Sequence, residues 1–229
     1  MTKKICIAID GPAAAGKSTV AKIVASKLQF IYIDTGAMYR AATYLAFQAG
    51  VSYEDEAGIM KLLQKKTIRF EPGDIQQVFI DDENVTNVIR TDEITNHVSV
   101  VSAHLLVREA LQKKQQAFAS AGGVVMDGRD IGTAVLPNAE LKIFLLASVK
   151  ERAERRYKEN KAKGYDVDFE QLQKEIEDRD HLDYTRKHSP LKKADDAITV
   201  DTTSMSIQEV ATKILDLANQ TIEQREKGL

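Results

Sequence analysis

Gly11-Pro12-Ala13-Ala14-Ala15-Gly16-Lys17-Ser18 matches the pattern G-x-x-x-x-G-K-[ST] at each fixed position. The apolar run 5–9 precedes this stretch, and the helix-forming segment 19–28 follows it. A strand, a glycine-rich loop and a helix in this order can bind phosphate, because backbone N–H groups and the positive end of the helix converge on one point. The sequence therefore predicts a loop that binds a nucleoside triphosphate.

Individual residues of this loop have predicted roles. We expect Lys17 to reach the β- and γ-phosphates and the Ser18 hydroxyl to help hold Mg²⁺ that arrives with the nucleotide. A glycine turn with an incidental lysine is the alternative, which the flanking strand and helix disfavour. The predicted ATP-binding residues are Gly11, Pro12, Ala13, Ala14, Ala15, Gly16, Lys17, Ser18 and Thr19.

Composition and length indicate a globular domain. Of the 229 residues, 43% are hydrophobic and 29% are charged, which predicts a single domain over 1–229 with room for small insertions. The net charge of −2 argues against a general nucleic-acid-binding surface. No apolar stretch is long enough to span a membrane, and the N-terminus does not have the pattern of a signal peptide. Cys6 is the only cysteine, which suits a reducing compartment, so we expect a cytoplasmic protein.

Short apolar segments alternate with helical patterns along the chain. The predicted strands are 5–9, 30–33, 124–126, 141–146 and 197–200, and the predicted helices include 19–28, 99–120, 150–163 and 206–226. This alternation predicts an α/β fold of three layers, with a five-stranded parallel sheet between helices.

The region 66–90 departs from that alternation. Segments 67–71 and 76–81 read as strands on either side of Pro72-Gly73-Asp74, and Asp81-Asp82-Glu83-Asn84 is a second turn signal. The sequence therefore predicts a small antiparallel insert here.

The second predicted strand ends in Asp34-Thr35-Gly36-Ala37-Met38-Tyr39-Arg40, just before another helix. Ligands of open α/β sheets bind at the carboxyl ends of strands. Thr35 can cap the helix, and Arg40 follows about one turn later, so the segment predicts a second anion site. The alternative is an ordinary helix cap with a solvated arginine. Two phosphate sites on one sheet suggest a donor and an acceptor.

The predicted strand at 124–126 leads into Asp127-Gly128-Arg129-Asp130. An aspartate at a strand end opposite the phosphate loop is a candidate to organise Mg²⁺, directly or through water, which is the role predicted for Asp127. Arg129 and Asp130 are then expected in the same cleft. An ordinary turn with an ion pair is the alternative.

Segment 150–163 is rich in basic residues, which suits a lid over about 150–168. Arg152 and Arg156 are four residues apart on one helix face and are the predicted phosphate contacts of this lid. A solvated helix face is the alternative for most of its charges.

Arg179, Asp183 and Arg186 follow at i, i+4 and i+7, a spacing that allows them to line one helix face. A surface ladder of salt bridges has the same spacing. The four histidines show no metal-ligand spacing, and no nucleophile–base pair is evident.

Together these segments resemble the bacterial cytidylate kinases, members of the nucleoside monophosphate kinase family, over essentially the whole chain. The segments that carry the resemblance are Ile9-Asp10-Gly11-Pro12, Gly16-Lys17-Ser18, Asp34-Thr35-Gly36-Ala37-Met38-Tyr39-Arg40, Ile89-Arg90-Thr91, Val107-Arg108-Glu109-Ala110-Leu111, Asp127-Gly128-Arg129-Asp130-Ile131-Gly132-Thr133 and Lys142-Ile143-Phe144-Leu145. The insert resembles the enlarged acceptor-side domain of these enzymes. Some members carry serine at the position of Thr35, which keeps the hydroxyl.

The resemblance implies a P-loop kinase fold and transfer of the ATP γ-phosphoryl group to CMP or dCMP, with Mg²⁺, in pyrimidine nucleotide metabolism. By this resemblance, Thr35, Arg40, Arg129 and Arg186 surround the acceptor phosphate, and Arg179 with Asp183 holds the ribose. Ser99, Arg108 and Asp130 read the cytosine edge. The predicted catalytic residues are Lys17, Asp127, Arg129, Arg152 and Arg156.

Two alternatives stay open at this point. One is a kinase for UMP, AMP or a small metabolite, which differs only in the acceptor pocket. The other is a nucleotide-dependent switch with a protein partner, against which the sequence lacks the guanine-reading motif Asn-Lys-x-Asp. We expect a monomer, since one chain holds both sites.

Overall fold

A parallel sheet of five short strands forms the centre of the protein, with its strands in the order β2-β6-β1-β7-β8. The computed structural model describes residues 4–71, 76–162 and 164–228. The strands of the chain are β1 (Cys6–Asp10), β2 (Ile31–Asp34), β3 (Ile68–Glu71), β4 (Gln77–Ile80), β5 (Glu83–Asn84), β6 (Val124–Gly128), β7 (Leu141–Leu146) and β8 (Ile198–Asp201). All pairings in the central sheet are parallel, which confirms the predicted sheet. Strand β6 runs past the predicted 124–126, so Asp127 belongs to the sheet.

Helices cover both faces of the sheet. They are α1 (Lys17–Leu28), α2 (Thr35–Gln48), α3 (Glu56–Lys65), α4 (Asp92–Val101), α5 (Leu105–Ala119), α6 (Val149–Ala162), α7 (Phe169–Thr185) and α8 (Ile207–Lys227). Strand residues Ile7 and Ile9 pack with α1 and α8, whereas their neighbour Ala8 packs on the opposite side with Ala119 of α5. Successive residues of a strand point to opposite faces, so the arrangement confirms the predicted three layers.

The insert is a three-stranded antiparallel sheet in the order β3-β4-β5. Its buried residues Ile68, Phe70, Val78 and Ile80 belong to the same core as Leu45 of α2. Alternating buried and exposed residues in β3 and β4 explain this one-sided packing. The predicted turn Pro72-Gly73-Asp74 lies outside the described residues. A short 3₁₀ helix, Val88–Arg90, then leads into α4.

The prediction of one continuous helix over 99–120 is wrong, because α4 ends at Val101 and α5 begins at Leu105. The Ser102 hydroxyl donates to the Ser99 carbonyl at 3.1 Å, and the Ser102 carbonyl accepts from Arg108 Nη1 at 3.0 Å. Local serine bonds of this kind compete with helix continuation. The break therefore frees a carbonyl that anchors Arg108.

The last predicted helix begins with a capping box, in which Ser206 and Glu209 each accept from the other's backbone N–H. Within 4–71, 76–162 and 164–228, no helix has the length and apolar character needed to cross a membrane.

Candidate active site

A cleft of about 610 Å³ opens at the carboxyl ends of β1, β2 and β6. Among the described residues that line it, basic side chains outnumber acidic ones by ten to five. The acidic residues are Asp34, Asp127, Asp130, Glu159 and Asp183, and the basic residues are Lys17, Arg40, Arg90, Arg108, Arg129, Arg155, Arg156, Lys158, Arg179 and Arg186. Such an excess of positive charge suits a polyanionic ligand.

The phosphate loop connects β1 to α1, as predicted. Gly11 has a φ of 149°, and a Cβ at this position would lie 2.4 Å from the Leu145 carbonyl oxygen, so only glycine fits. Gly16 and Ala14 also have positive φ, 84° and 57°. These conformations turn the loop tightly into the N-terminus of α1, where free N–H groups attract anions.

Lys17 is 5% exposed, and its Nζ donates to the Pro12 carbonyl at 2.6 Å. Burial, followed by repulsion from Arg129, lowers the pKa of Lys17 well below its ordinary value. A phosphate group beside Nζ would supply the missing negative charge. The side chain is therefore folded over the loop in a position to release Pro12 and take an anionic oxygen.

Asp127 gathers three contacts at the end of β6. Its carboxylate accepts from Ser18 Oγ and from the Tyr32 hydroxyl, each at 2.8 Å, and its carbonyl accepts from Thr35 Oγ1 at 2.7 Å. Burial and the charge of Asp34 raise the pKa of Asp127. A cation near this carboxylate would reverse that effect.

The Ser18 and Asp127 oxygens fit a magnesium site of the kind found in phosphoryl-transfer enzymes. Mg²⁺ in such sites takes one or two protein oxygens and completes its shell with substrate phosphates and water. The paired oxygens Ser18 Oγ and Asp127 Oδ2 lie beside the phosphate loop. In the part of the chain that the structure describes, no group of three histidine, cysteine or carboxylate side chains forms a metal site.

A second cluster of charges lies at the end of β2. Asp34 caps α2 by accepting from the Ala37 N–H at 2.9 Å, which corrects the expectation that Thr35 is the cap. The other Asp34 oxygen accepts from Arg40 Nη2 at 2.9 Å and from Arg90 Nη2 at 3.1 Å. Burial alone would raise the pKa of Asp34, but Arg40 and Arg90 hold it below its ordinary value. Two guanidinium groups share one carboxylate, which leaves positive charge for an anion.

Asp130 is the centre of a buried polar cluster formed by α5 and the loop after β6. It is ion-paired with Arg108, and Gln112 Nε2 donates to the same Oδ2 at 3.2 Å. Arg186 Nη2 lies 3.5 Å from Oδ1. Ser99 and Ser102 line the cleft beside this cluster.

Arg129 and Arg179 also line the cleft, where both lie close enough to Asp183 to act on its carboxylate. Arg129 Nε donates to Asp183 Oδ2 at 2.8 Å. Burial alone would raise the pKa of Asp183, but Arg129 and Arg179 hold it below its ordinary value. The Nε atom of Arg179 is buried and has no hydrogen-bond partner among the residues that the structure describes. Burial, followed by repulsion from Arg129, lowers the pKa of Arg179 to about 10. Arg179 therefore lines the cleft as a cation with Asp183 as its nearby countercharge and one buried N–H group still to be satisfied.

The two lid arginines are in different surroundings. Arg156 lines the cleft together with Arg155 and Lys158. Arg152 is 3% exposed and lies under the phosphate loop, where it contacts Asp180 and the Ala13 carbonyl. The expectation that Arg152 and Arg156 face the same ligand from one helix face therefore does not describe this structure, because the first turn of α6 packs against the protein.

One carboxylate connects the phosphate loop to the segment that carries Arg129 and Asp130. Asp10, the residue before Gly11, accepts from the N–H groups of Ile131 and Gly132 at 2.8 and 2.7 Å. Burial outweighs these two bonds and raises the pKa of Asp10 to about 7.

Sequence reasoning predicted the loop residues from Ala13 to Thr19 and nine substrate residues that the structure brings together in the lining of the cleft, whereas the predicted residues Gly11 and Pro12 are outside that lining. It assigned no role to Arg90, Arg155 or Asp10, or to the segment 205–207, which also lines the cleft. Arg90 lay within the segment Ile89-Arg90-Thr91 that supported the resemblance, and Asp10 lay next to the motif. Their positions in or next to these motifs could have identified both residues as candidates for the site.

Comparison with known proteins agrees with this geometry. The family model for cytidylate kinase matches residues 7–220. The chain is 77% identical over 222 residues to a cytidylate kinase of Listeria monocytogenes serotype 4a (strain HCC23), covering 97% of this chain and 99% of that protein. It is 62% identical over 225 residues to a cytidylate kinase of Bacillus pumilus (strain SAFR-032), covering 98% and 100%.

A solved structure shares the fold at much lower identity. A gluconokinase from Sinorhizobium meliloti 1021 has a TM-score of 0.51 and 15% identity, over 99% of this chain and 98% of that one. This likeness concerns the fold alone, which is that of a P-loop kinase. The family match and the two close relatives show that the chain belongs to the cytidylate kinase family.

Proposed function

We propose that this chain transfers the γ-phosphoryl group of ATP to CMP or dCMP, giving ADP and CDP or dCDP. The observation that carries the proposal is that the phosphate loop and the buried Arg108–Asp130 pair line the same cleft. A nucleoside triphosphate on the loop and a pyrimidine monophosphate on the pair would bring their phosphates together between them.

ATP occupies the donor side in this proposal. Its phosphates take the free N–H groups of the loop and the start of α1, and Lys17 exchanges the Pro12 carbonyl for β- and γ-phosphate oxygens. Arg155 and the segment 205–207 border the loop and provide a surface for the rest of the nucleotide.

Three groups of residues hold the acceptor. Thr35, Arg40, Arg129 and Arg186 surround its phosphate, and Arg179 with Asp183 holds the ribose. Ser99, Arg108 and Asp130 take the base, because cytosine offers an amine donor beside ring acceptors and so complements a carboxylate beside an arginine. Uracil replaces that amine with an oxygen, which would face the Asp130 carboxylate and lose the bond.

Positioning and charge neutralisation supply the catalysis. An oxygen of the acceptor phosphate attacks the γ-phosphorus in line, and the bond from that phosphorus to the oxygen of the leaving ADP breaks. Lys17, Arg129 and the lid residue Arg156 stabilise the charge on the transferring group. Mg²⁺, held by Ser18 and Asp127, would neutralise phosphate charge when bound.

Release of ADP from ATP and Mg²⁺, with CMP, dCMP, UMP, AMP and GMP supplied separately, tests this function. We expect strong turnover with CMP and dCMP alone. Turnover with another monophosphate would overturn the roles of Ser99, Arg108 and Asp130. ATP hydrolysis without any acceptor dependence would overturn the kinase assignment in favour of a switch.

We further propose that the chain works as a monomer in the cytoplasm, without nucleic-acid or membrane partners. One chain supplies both sides of the cleft, and Cys6 is a free thiol. The mass of the purified protein in solution checks the first point, and cell fractionation checks the second.

A further inference from the structure

Two helices reach the phosphate loop through one ion pair. Arg152 of α6 and Asp180 of α7 are 2.6 Å apart, and their side chains are 4% and 10% exposed. Arg152 Nη1 donates to the Ala13 carbonyl at 2.9 Å, and the Ala13 N–H donates to Asp180 Oδ1 at 3.2 Å. Both polar groups of Ala13 are therefore held by side chains that lie far away in sequence.

Each of the three nitrogens of the Arg152 guanidinium contacts an acceptor within the protein. Its Nε donates to the Ala147 carbonyl at 3.1 Å, while Nη1 and Nη2 engage Ala13 and Asp180. The planar guanidinium group suits three such acceptors at fixed angles. This arrangement makes Arg152 part of the wall behind the loop, in contrast to Arg156, which lines the cleft.

Ala13 is the point at which the loop needs such support. The next residue, Ala14, has a φ of 57°, in the left-handed region that L-residues other than glycine rarely adopt. A strained residue persists where its surroundings determine it. The hydrogen bonds from Arg152 and to Asp180 hold the two peptide groups of Ala13 in place. They therefore fix the orientation of the backbone N–H groups that follow in the loop.

We infer that Arg152 and Asp180 are positioning residues, which hold the phosphate loop in its ATP-binding shape without touching the nucleotide. The inference rests on the proposed function, since it assigns the loop to ATP. It predicts that the effects of the two residues are not additive, because the Arg152–Asp180 ion pair orients both side chains for their hydrogen bonds with Ala13. Loss of either should weaken ATP binding and leave CMP binding unchanged.

Asp180→Asn and Arg152→Lys test this unit, since each keeps the size or charge of the side chain but breaks the shared geometry. We expect the Kd for ATP to rise about tenfold in each variant, with the Kd for CMP within about twofold of wild type. The double variant should be no worse than either single variant. Faster hydrogen exchange at the Ala13 amide in Asp180→Asn would report the lost contact directly. Asp178→Asn, an exposed change in the same helix, is the matched control.

Other results would overturn the inference. An unchanged Kd for ATP with a lower melting temperature would make the pair a plain stabiliser of the fold. Additive losses, with Arg152→Lys alone lowering kcat, would mean that Arg152 contacts the phosphate directly. If Asp180→Asn does not fold, the Kd values of Arg152→Lys for ATP and for CMP provide the test. Failure of the proposed function looks different, because wild type would then show no CMP-dependent ADP release.

Discussion

Arg108 and Asp130 form an ion pair whose side chains are only 2% and 5% exposed. Arg108 and Gln112 both donate to Asp130 Oδ2, whereas Oδ1 lies 3.5 Å from the nearest Arg186 nitrogen. One oxygen is therefore saturated, and the other is the one left to accept from a ligand. Under the proposed function, this asymmetry would fix the direction from which the amine of the base approaches.

Asp130→Asn should reduce the preference for CMP over UMP. The amide can still accept from Arg108 through its oxygen, while its NH₂ group would meet the uracil oxygen favourably and the cytosine amine unfavourably. We expect the ratio of kcat/KM for the two substrates to fall at least about tenfold, or about 1.4 kcal/mol. Steady-state kinetics with each substrate measures it, with Asp216→Asn on α8 as the control. An unchanged ratio would remove Asp130 from base recognition.

Lys17→Met should abolish turnover without harming the fold. The loss of this charge from the transition state is expected to lower kcat at least about 1000-fold. Because burial and Arg129 lower the pKa of Lys17, its charge is poorly compensated in the free protein, so the melting temperature should stay the same or rise. Lys27→Met, at the exposed end of the same helix, should leave kcat unchanged. Near-normal turnover of Lys17→Met would contradict a catalytic role for this lysine.

Asp127→Asn should raise the Mg²⁺ concentration that supports half-maximal turnover, by about tenfold or more, because a neutral amide is a weaker ligand for a hard cation. Titration of turnover against Mg²⁺ at fixed ATP measures the change. Tyr32→Phe removes a hydroxyl that bonds to the same carboxylate and keeps the charge, so it should shift the titration much less. Equal shifts in the two variants would contradict a role for Asp127 in holding the ion.

Gly11→Ala should be more destabilising than Gly50→Ala. A Cβ at Gly11 would meet the Leu145 carbonyl oxygen at 2.4 Å. Gly50 has a φ of 62°, and no atom of the described residues outside its immediate chain neighbours lies within 4 Å of a Cβ added there. We expect the free energy of unfolding to fall by at least about 3 kcal/mol for Gly11→Ala and by about 1 kcal/mol for Gly50→Ala. Urea unfolding of both variants checks the difference, and equal losses would show that the loop can move away from β7.

Asp10 should make the free energy of unfolding depend on pH. Burial raises its pKa from 3.8 to about 7, so between these values the folded protein binds more protons at this site than the unfolded chain. The contribution of Asp10 to stability is complete below about pH 4 and is lost as the pH rises through about 7. Asp130 and Lys17 are the charged groups that act on it.

The stability difference between wild type and Asp10→Asn measures this effect. Because the amide does not titrate, we expect the advantage of wild type to be smaller at pH 8 than at pH 5. Asp55→Asn, which alters an exposed cap of α3, is the control. A difference that is constant with pH would show that Asp10 does not titrate in this range.

Periodicity and motif order predicted the central sheet, because buried parallel strands are continuous apolar runs and the phosphate loop fixes the strand before it and the helix after it. The helix break at Ser102–His104 was missed, since it arises from contacts of Ser102 with Ser99 and with Arg108. Spacing also predicted that Arg152 and Arg156 contact the same ligand. A helical repeat shows which residues share a face, but it does not show which part of that face is buried against the protein and which part is exposed. That distinction depends on tertiary packing of α6 against α7 and the loop.

Strands β1 and β2 follow one another in sequence but do not pair in the central sheet, because β6 lies between them. During synthesis on the ribosome, neither strand has a partner until residues 124–128 emerge, when more than half of the 229-residue chain has been made. The nascent chain therefore carries both apolar strands unpaired from the completion of β2 until β6 emerges, and unpaired strand edges of this kind are prone to aggregate. The glycine-rich turn after β1 acquires its shape late, so nucleotide cannot assist folding until translation is well advanced.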